Sequence, residues 1–254
     1  MKRLLIATAS VAFAACGPNN VGSTGGTTGG TATTDAGDGT NSCTPATFTC
    51  AGTGGLLYPG CPYGTSRGGV FPDFDLGGGY WNPSTTPVND LTLPIPGGQS
   101  LPDLSMAFHQ LYCSGFKYAF IDISAVWCPH CNDEAAAFPG WNATTKTYEW
   151  NAATQTGWAV KWLPLGGVIF SLLEQGENPA NAATPADLTT WVNKYNINYP
   201  MAIDPQENVV VGVGLEAWPA NIIIDLSTMK VVDAVFGNVP QFLTEFDSLL
   251  TSGQ

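Results

Sequence analysis

Residues 119–131 read AFIDISAVWCPHC. Ala119 to Val126 is a short apolar run holding one acid, Asp122, and predicts a buried strand. Cys128 and Cys131 follow at once, separated by Pro129 and His130, and Asn132 to Phe138 is helix-compatible up to Pro139. A strand running into a cysteine pair at the opening of a helix places chemistry at a strand–helix junction. A helix N-terminus offers unpaired N–H groups and a positive dipole end, which stabilise an anion there. Cys128 is therefore the expected low-pKa nucleophile, and Cys131 the more buried, resolving thiol. Pro129 suits the first helical turn, where its missing N–H costs nothing. His130 is expected to add N–H donors, or positive charge, beside the sulfur and so favour the reduced thiolate.

Outward from this centre, Val160 to Phe170 predicts a second strand, with Pro164 and Gly166-Gly167 near its boundaries. Thr184 reads as an N-cap, followed by Pro185 and Asp187, with Leu188, Trp191, Val192 and Tyr195 on one helical face. Ala220 to Leu226 and Lys230 to Phe236 predict a strand hairpin turning at Ser227-Thr228-Met229, and Val239 to Leu250 a closing helix. Upstream, Leu104 to Cys113 has helical spacing at Leu104, Ala107, Phe108 and Leu111, and Val70 to Leu76 is a short apolar–polar run. Residues 140–158, rich in Trp, Asn and Thr, carry no clear pattern, and Asn208 to Leu215 is ambiguous. The order strand, helix, strand, helix, strand hairpin, helix describes an α/β layer structure with one sheet flanked by helices. No repeat of 20–50 residues points to a solenoid.

The run Phe120 to Cys131 resembles the active-site strand and motif of the thioredoxin superfamily. Trp127 stands where that family has an aromatic residue before the first cysteine, and Asp122 stands at its buried acid, six residues before the nucleophile. Ala217-Trp218-Pro219-Ala220 and the strand to Asp225 resemble the family's cis-proline segment. Pro72-Asp73-Phe74-Asp75-Leu76, Tyr199 to Asp204 and Phe236-Gly237 resemble its TlpA/redoxin-like branch, whereas the CPHC motif resembles that of DsbA-type oxidants. The resemblance spans roughly residues 70–250 and implies a thioredoxin-like central sheet flanked by helices. It further implies a cis Pro219 beside the cysteines, leaving the Trp218 backbone free to pair with a substrate strand. Asp122 would then accept the proton of Cys131 through water, and Trp127 would pack as a lid beside the sulfurs. Glu134 matches an acid found after the motif in the TlpA-like branch, or is a first-turn charge favoured by the dipole. His109 reads as a surface helix residue.

The amino-terminal end concerns export. Lys2 and Arg3 precede the apolar run Leu4 to Ala15, too short to span a membrane and right for a signal peptide over residues 1–15. Ala14-Ala15-Cys16 resembles the bacterial lipobox, with Phe13 where Leu is usual, and implies lipidation of Cys16. Residues 17–42, mostly Gly, Thr, Asn, Ala and Asp, predict a flexible leash of about 25–30 Å rms. Cys43, Cys50, Cys61 and Cys113 remain outside the motif; in an exported chain they predict two disulfides, with three possible pairings, stapling an irregular extension over 43–69. The thioredoxin-like domain then occupies 70–254. With only His109 and His130 and a single close cysteine pair, no metal set is predicted.

The whole chain has 254 residues, 44 % of them hydrophobic, enough to build a core. Twenty acidic against eight basic residues give a formal charge of −12, which argues against a nucleic-acid partner. These readings converge on a lipid-anchored thiol-disulfide oxidoreductase of the bacterial cell envelope, facing the periplasm, with no cofactor beyond a redox-active Cys128–Cys131 disulfide. Its partners would be exported protein thiols or disulfides, or an apo-cytochrome or copper-site protein, and a membrane or soluble electron-transfer protein. Gly17 after Cys16 points to the outer membrane by the enterobacterial rule. Reduction and oxidation stay open, because CPHC argues for an oxidant and its surroundings for a reductant. A peroxiredoxin-type peroxidase needs Thr and Pro where Ala125 and Ile121 stand. A Sco-type copper protein needs CxxxC and a later His, and a catalytically dead scaffold is the remaining alternative.

Overall fold

The structure is a computed structural model describing residues 47–50, 54–57, 59–60, 63–76, 79–80, 106–107, 111 and 116–252. The signal segment, Cys16, the linker 17–42, His109 and the staple expected of Cys43, Cys50, Cys61 and Cys113 lie outside what is described. Five short strands come first: β1 (Thr47–Cys50), β2 (Gly54–Leu57), β3 (Asp75–Leu76), β4 (Gly79–Tyr80) and β5 (Met106–Ala107). The strand β6 (Tyr118–Ala125) leads into helix α1 (Pro129–Ala137), the strands β7 (Trp141–Asn142) and β8 (Thr147–Tyr148), and helix α2 (Trp158–Trp162). Then follow β9 (Gly167–Gln175), α3 (Pro185–Tyr195), β10 (Met201–Ile203), α4 (Asn208–Val213), β11 (Ala220–Asp225), β12 (Lys230–Phe236) and α5 (Pro240–Ser252).

Six strands form one sheet in the order β12-β11-β6-β9-β10-β4. β6, β9 and β10 are parallel, while β11 is antiparallel to both β6 and β12, and β4 is antiparallel to β10. The parallel connections β6–β9 and β9–β10 carry α1 and α3, as parallel strands require a crossover, and the antiparallel return from β10 to β11 carries α4. This is the α/β layer structure, one sheet flanked by helices, that the order of elements implied. Among the described residues no helix is long and apolar enough to cross a membrane.

β6 sits at the centre because its residues can be buried on both faces; only Tyr118 is partly exposed. Phe120 anchors one face, with ring centroids 5.5–5.8 Å from Phe138, Trp162, Phe242 and Phe246. These rings bring the end of α1, α2 and α5 onto the strand. Gly212 of α4 lets Phe74 approach: a Cβ there would lie 2.5 Å from Phe74 Cζ. α3 begins with the expected cap, since Thr184 Oγ1 accepts from the Asp187 N–H and Asp187 Oδ2 accepts from the Thr184 N–H.

Several expectations change. The strand expected over Val160–Phe170 starts at Gly167 and runs to Gln175; the preceding apolar residues form α2 and a 3₁₀ turn, Leu163–Leu165. Trp158 and Trp162 stack at 4.9 Å and Trp162 meets Phe246 at 4.7 Å, so this run is a buried helical face. The helix expected over Leu104–Cys113 is replaced at Met106–Ala107 by β5, paired antiparallel with β3. Leu111 is helical, and the rest of that window is outside the described residues. The extension expected to be irregular contains β1 paired antiparallel with β2, where Thr47, Phe48 and Thr49 favour a strand. Asn208–Val213 is a helix, begun by Asp204, whose Oδ2 accepts from the Val209 N–H at 2.8 Å.

Residues 141–156 contain two related turns nine positions apart, WNATTKT and WNAATQT. In each the Asn Oδ1 accepts two backbone N–H groups, Thr144 and Thr145 on Asn142, Ala153 and Thr154 on Asn151. In each a left-handed residue, Lys146 or Gln155, follows. Gly157 closes the second turn with φ 94°, where a Cβ would collide with the Glu149 carbonyl.

Candidate active site

β6 ends at Ala125 and α1 begins at Pro129; Val126, Trp127 and Cys128 join them, with Cys128 as the N-cap and Pro129 in the first turn as expected. Cys128 adopts φ −82°, ψ 118° and caps the helix with its own sulfur: the Cys131 backbone N–H donates to Cys128 Sγ at 3.4 Å. Both cysteines are free thiols and both are buried. The Cys128 thiol is pulled down. The side-chain hydrogen bond with Cys131 is the main cause, the backbone N–H groups of Cys131 and His130 help, and burial and the charge of Asp122 oppose. The Cys131 thiol is pushed well up by burial, then by its bond to Cys128 and by the charges of Cys128 and Asp122. Two sulfurs three residues apart are thus driven in opposite directions.

The rim is held by side-chain bonds. Trp127 Nε1–H donates to Gln175 Oε1 at 2.9 Å, and its ring meets Trp218 edge-on with centroids 6.1 Å apart. The Trp218–Pro219 bond is cis, and the Pro219 carbonyl accepts from the Gly237 N–H at 2.7 Å. The His130 backbone N–H helps lower the Cys128 thiol, while its ring Nδ1 lies 3.1 Å from Asn238 Nδ2 and 3.6 Å from Asp133 Oδ2. The ring therefore faces the segment after β12 and its own helical turn.

Beneath the cysteines lie two buried acids. Asp122, 2 % exposed, accepts from Ser124 Oγ at 2.7 Å and Ser171 Oγ at 2.6 Å. Burial lifts its carboxyl to about 6, and the two serine bonds limit the rise. Glu134, 7 % exposed, is not a solvated first-turn charge: Asn221 Nδ2 donates to Oε1 at 3.0 Å and to Oε2 at 3.1 Å. Its carboxyl is pushed well up by burial first and by the charge of Asp122 second. Asn221 stands opposite Asp122 in the β11–β6 register, so one strand pairing brings both acids to one place.

Asp122, Trp127, Cys128, Pro129, His130 and Cys131 thus form one continuous stretch, and Pro219 enters beside it through Trp218. Sequence reasoning missed Ser171, Asn221, Gln175, Asn132 and Asn238. The available signal was a polar side chain inside an apolar strand, as in VIFSLL and ANIIID. Among the described residues no group of three or more His, Cys, Asp or Glu is placed to hold a metal ion.

No protein-family profile matches the chain, and none of the curated proteins matches it. Among solved structures, the chain is similar to the thioredoxin domain of a thiol-disulfide oxidoreductase from Bacteroides vulgatus (11 % identity, TM-score 0.47, covering 73 % of this chain and 99 % of that one). It is similar to a thiol:disulfide interchange protein from Bacteroides sp. (12 %, 0.45, 73 % and 90 %). It is also similar to the peroxidoxin BcpB from Mycobacterium tuberculosis (12 %, 0.47, 74 % and 96 %). At these identities the likeness adds nothing about chemistry, which rests on the site itself.

Proposed function

We propose that the chain is a thiol–disulfide oxidoreductase of the bacterial cell envelope, working through Cys128 and Cys131 and anchored by lipid on Cys16. The observation that carries this reading is geometric: Cys128 caps α1 with its Sγ accepting the Cys131 backbone N–H at 3.4 Å, and Cys131 is buried in the first turn. That setting pulls the Cys128 thiol down, through its side-chain bond with Cys131 first, while burial pushes the Cys131 thiol well up. In the reducing direction the Cys128 thiolate attacks a partner disulfide, forming a mixed disulfide and releasing one partner thiolate. Cys131 then gives its proton to Asp122 and attacks Cys128 Sγ, releasing the second thiolate. Two electrons pass from the dithiol to the partner disulfide, and the two thiol protons follow; the oxidising direction is the reverse. Asp122 suits the acceptor role because its carboxyl sits at about 6, within reach of neutral pH.

The signal-like run over residues 1–15, Cys16 and the Gly- and Thr-rich sequence after it support a periplasm-facing domain that meets exported thiols or disulfides and an electron-transfer partner. Palmitate labelling that disappears in Cys16→Ala tests the anchor. Insulin reduction tests the chemistry: the wild type is active, and Cys128→Ser is inactive. A wild type no faster than Cys128→Ser contradicts the reading. A potential near about −270 mV marks a reductant, and one near about −120 mV an oxidant.

A further inference from the structure

Asn132, the residue after Cys131, is a junction between the redox loop and α3. Its Nδ2 donates to the Val126 carbonyl at 3.0 Å and to the Cys128 carbonyl at 2.7 Å. Its Oδ1 accepts from Lys194 Nζ at 2.9 Å and from the Tyr195 hydroxyl, both at the end of α3. Every side-chain capacity of this amide is used, two donors and two acceptor positions. The arrangement also fixes which way the amide points. An ammonium can only donate, so the oxygen must face α3 and the NH₂ must face the loop.

The loop carbonyls that Asn132 grips flank Trp127 and Cys128. The Cys128 carbonyl is held twice, since the Asn132 backbone N–H also donates to it at 3.2 Å. This pins the segment Val126–Cys128 and with it the extended conformation of Cys128 that turns Sγ onto the Cys131 N–H. The Lys194 ammonium, which also lies 4.7 Å from the Tyr195 ring centroid, polarises the amide and strengthens its N–H donors.

We propose that Asn132 is a positioning residue for thiol–disulfide exchange: oriented by Lys194 and Tyr195, it locks the Cys128 sulfur onto the N-terminus of α1. The proposal rests on the redox reading above and names the device that presents its nucleophile. It assigns α3, which carries no reacting group, a part in setting Cys128.

The test uses the reduced full chain and follows iodoacetamide alkylation of Cys128 against pH, together with the dithiol potential and thermal stability. Asn132→Leu keeps the branched outline of the side chain and removes both donors together with the acceptor oxygen. It is expected to move the alkylation inflection upward by about one pH unit or more and to make the dithiol more reducing. Tyr195→Phe and Lys194→Met leave the donors of Asn132 in place and unload its oxygen. They are expected to move the inflection in the same direction by less, and they decide the matter if Asn132→Leu does not fold. Lower thermal stability with an unmoved inflection and potential in all variants overturns the proposal and leaves Asn132 a merely structural brace. An ordinary free-thiol inflection in the wild type removes the redox reading itself, and the proposal with it.

Discussion

Cys128 and Cys131 occupy one helical turn, yet one is set to lose its proton and the other to keep it. The difference lies in what each sulfur receives: Cys128 takes hydrogen bonds at a helix end, and Cys131 takes burial and the nearby negative charges. Asp122 joins them because two serines anchor a carboxyl that burial has lifted to about 6. Its pH sign follows directly. Below that value Asp122 is protonated and cannot accept the Cys131 proton; above it the acceptor is ready. Release of a trapped mixed disulfide should therefore quicken as pH rises through about 6. In Asp122→Asn that inflection should vanish, with release slower by roughly tenfold or more at neutral pH. Stopped-flow measurement of partner release checks both, and an unchanged profile in Asp122→Asn rules out the role. The residues on the chain segment itself were legible beforehand, because a strand, a cysteine pair and a helix start are local signals. Ser171, Asn221 and Gln175 were not, since only the pairing of β6 with β9 and β11 brings them to the site.

Among the elements, β6 carries the site at one end and the aromatic core at the other. Phe120 touches four rings from three different segments, so Phe120→Ala opens a cavity with little means of collapse. It should cost about 3–5 kcal/mol, read from denaturant unfolding. A loss under 1 kcal/mol would show that these contacts do not hold the core. Most elements with a full signal were readable: the buried strand of β6, the capped start of α3, the β11–β12 hairpin and the apolar stripe of α5. The second strand starts at Gly167, seven residues after the apolar run from Val160 that signals it. The leading apolar residues of that run, Val160 and Trp162, belong to a helix that buries tryptophans against Phe246, and a short apolar run does not distinguish the two. The paired Trp-Asn-Ala turns were present in the sequence but repeat over nine residues, far below the length of a structural repeat.

At the scale of the molecule, acidity reaches into the interior. Glu174, on β9 beside the residue that braces Trp127, is fully buried, and neither carboxyl oxygen has a hydrogen-bond partner among the described residues. Burial pushes its carboxyl well up, and the charges of Asp204 and Glu207, of its own sign, push it further. The folded chain therefore holds this proton to higher pH than the unfolded chain, which releases it near 4.5. Stability present below that point drains as pH climbs through the raised folded value. Glu174→Gln should raise the melting temperature at pH 8 and change it little at pH 4.5. Equal effects at both pH values would show that Glu174 is not held protonated.

The central claim is that the end of α1 sets Cys128 apart from Cys131. It is tested most directly by mass-resolved alkylation of both cysteines in the reduced wild type across pH. The account predicts a Cys128 inflection below that of a free thiol, about 8.5, while Cys131 stays unlabelled until well above it. Both cysteines labelling together, or Cys128 titrating at or above the free-thiol value, would contradict it.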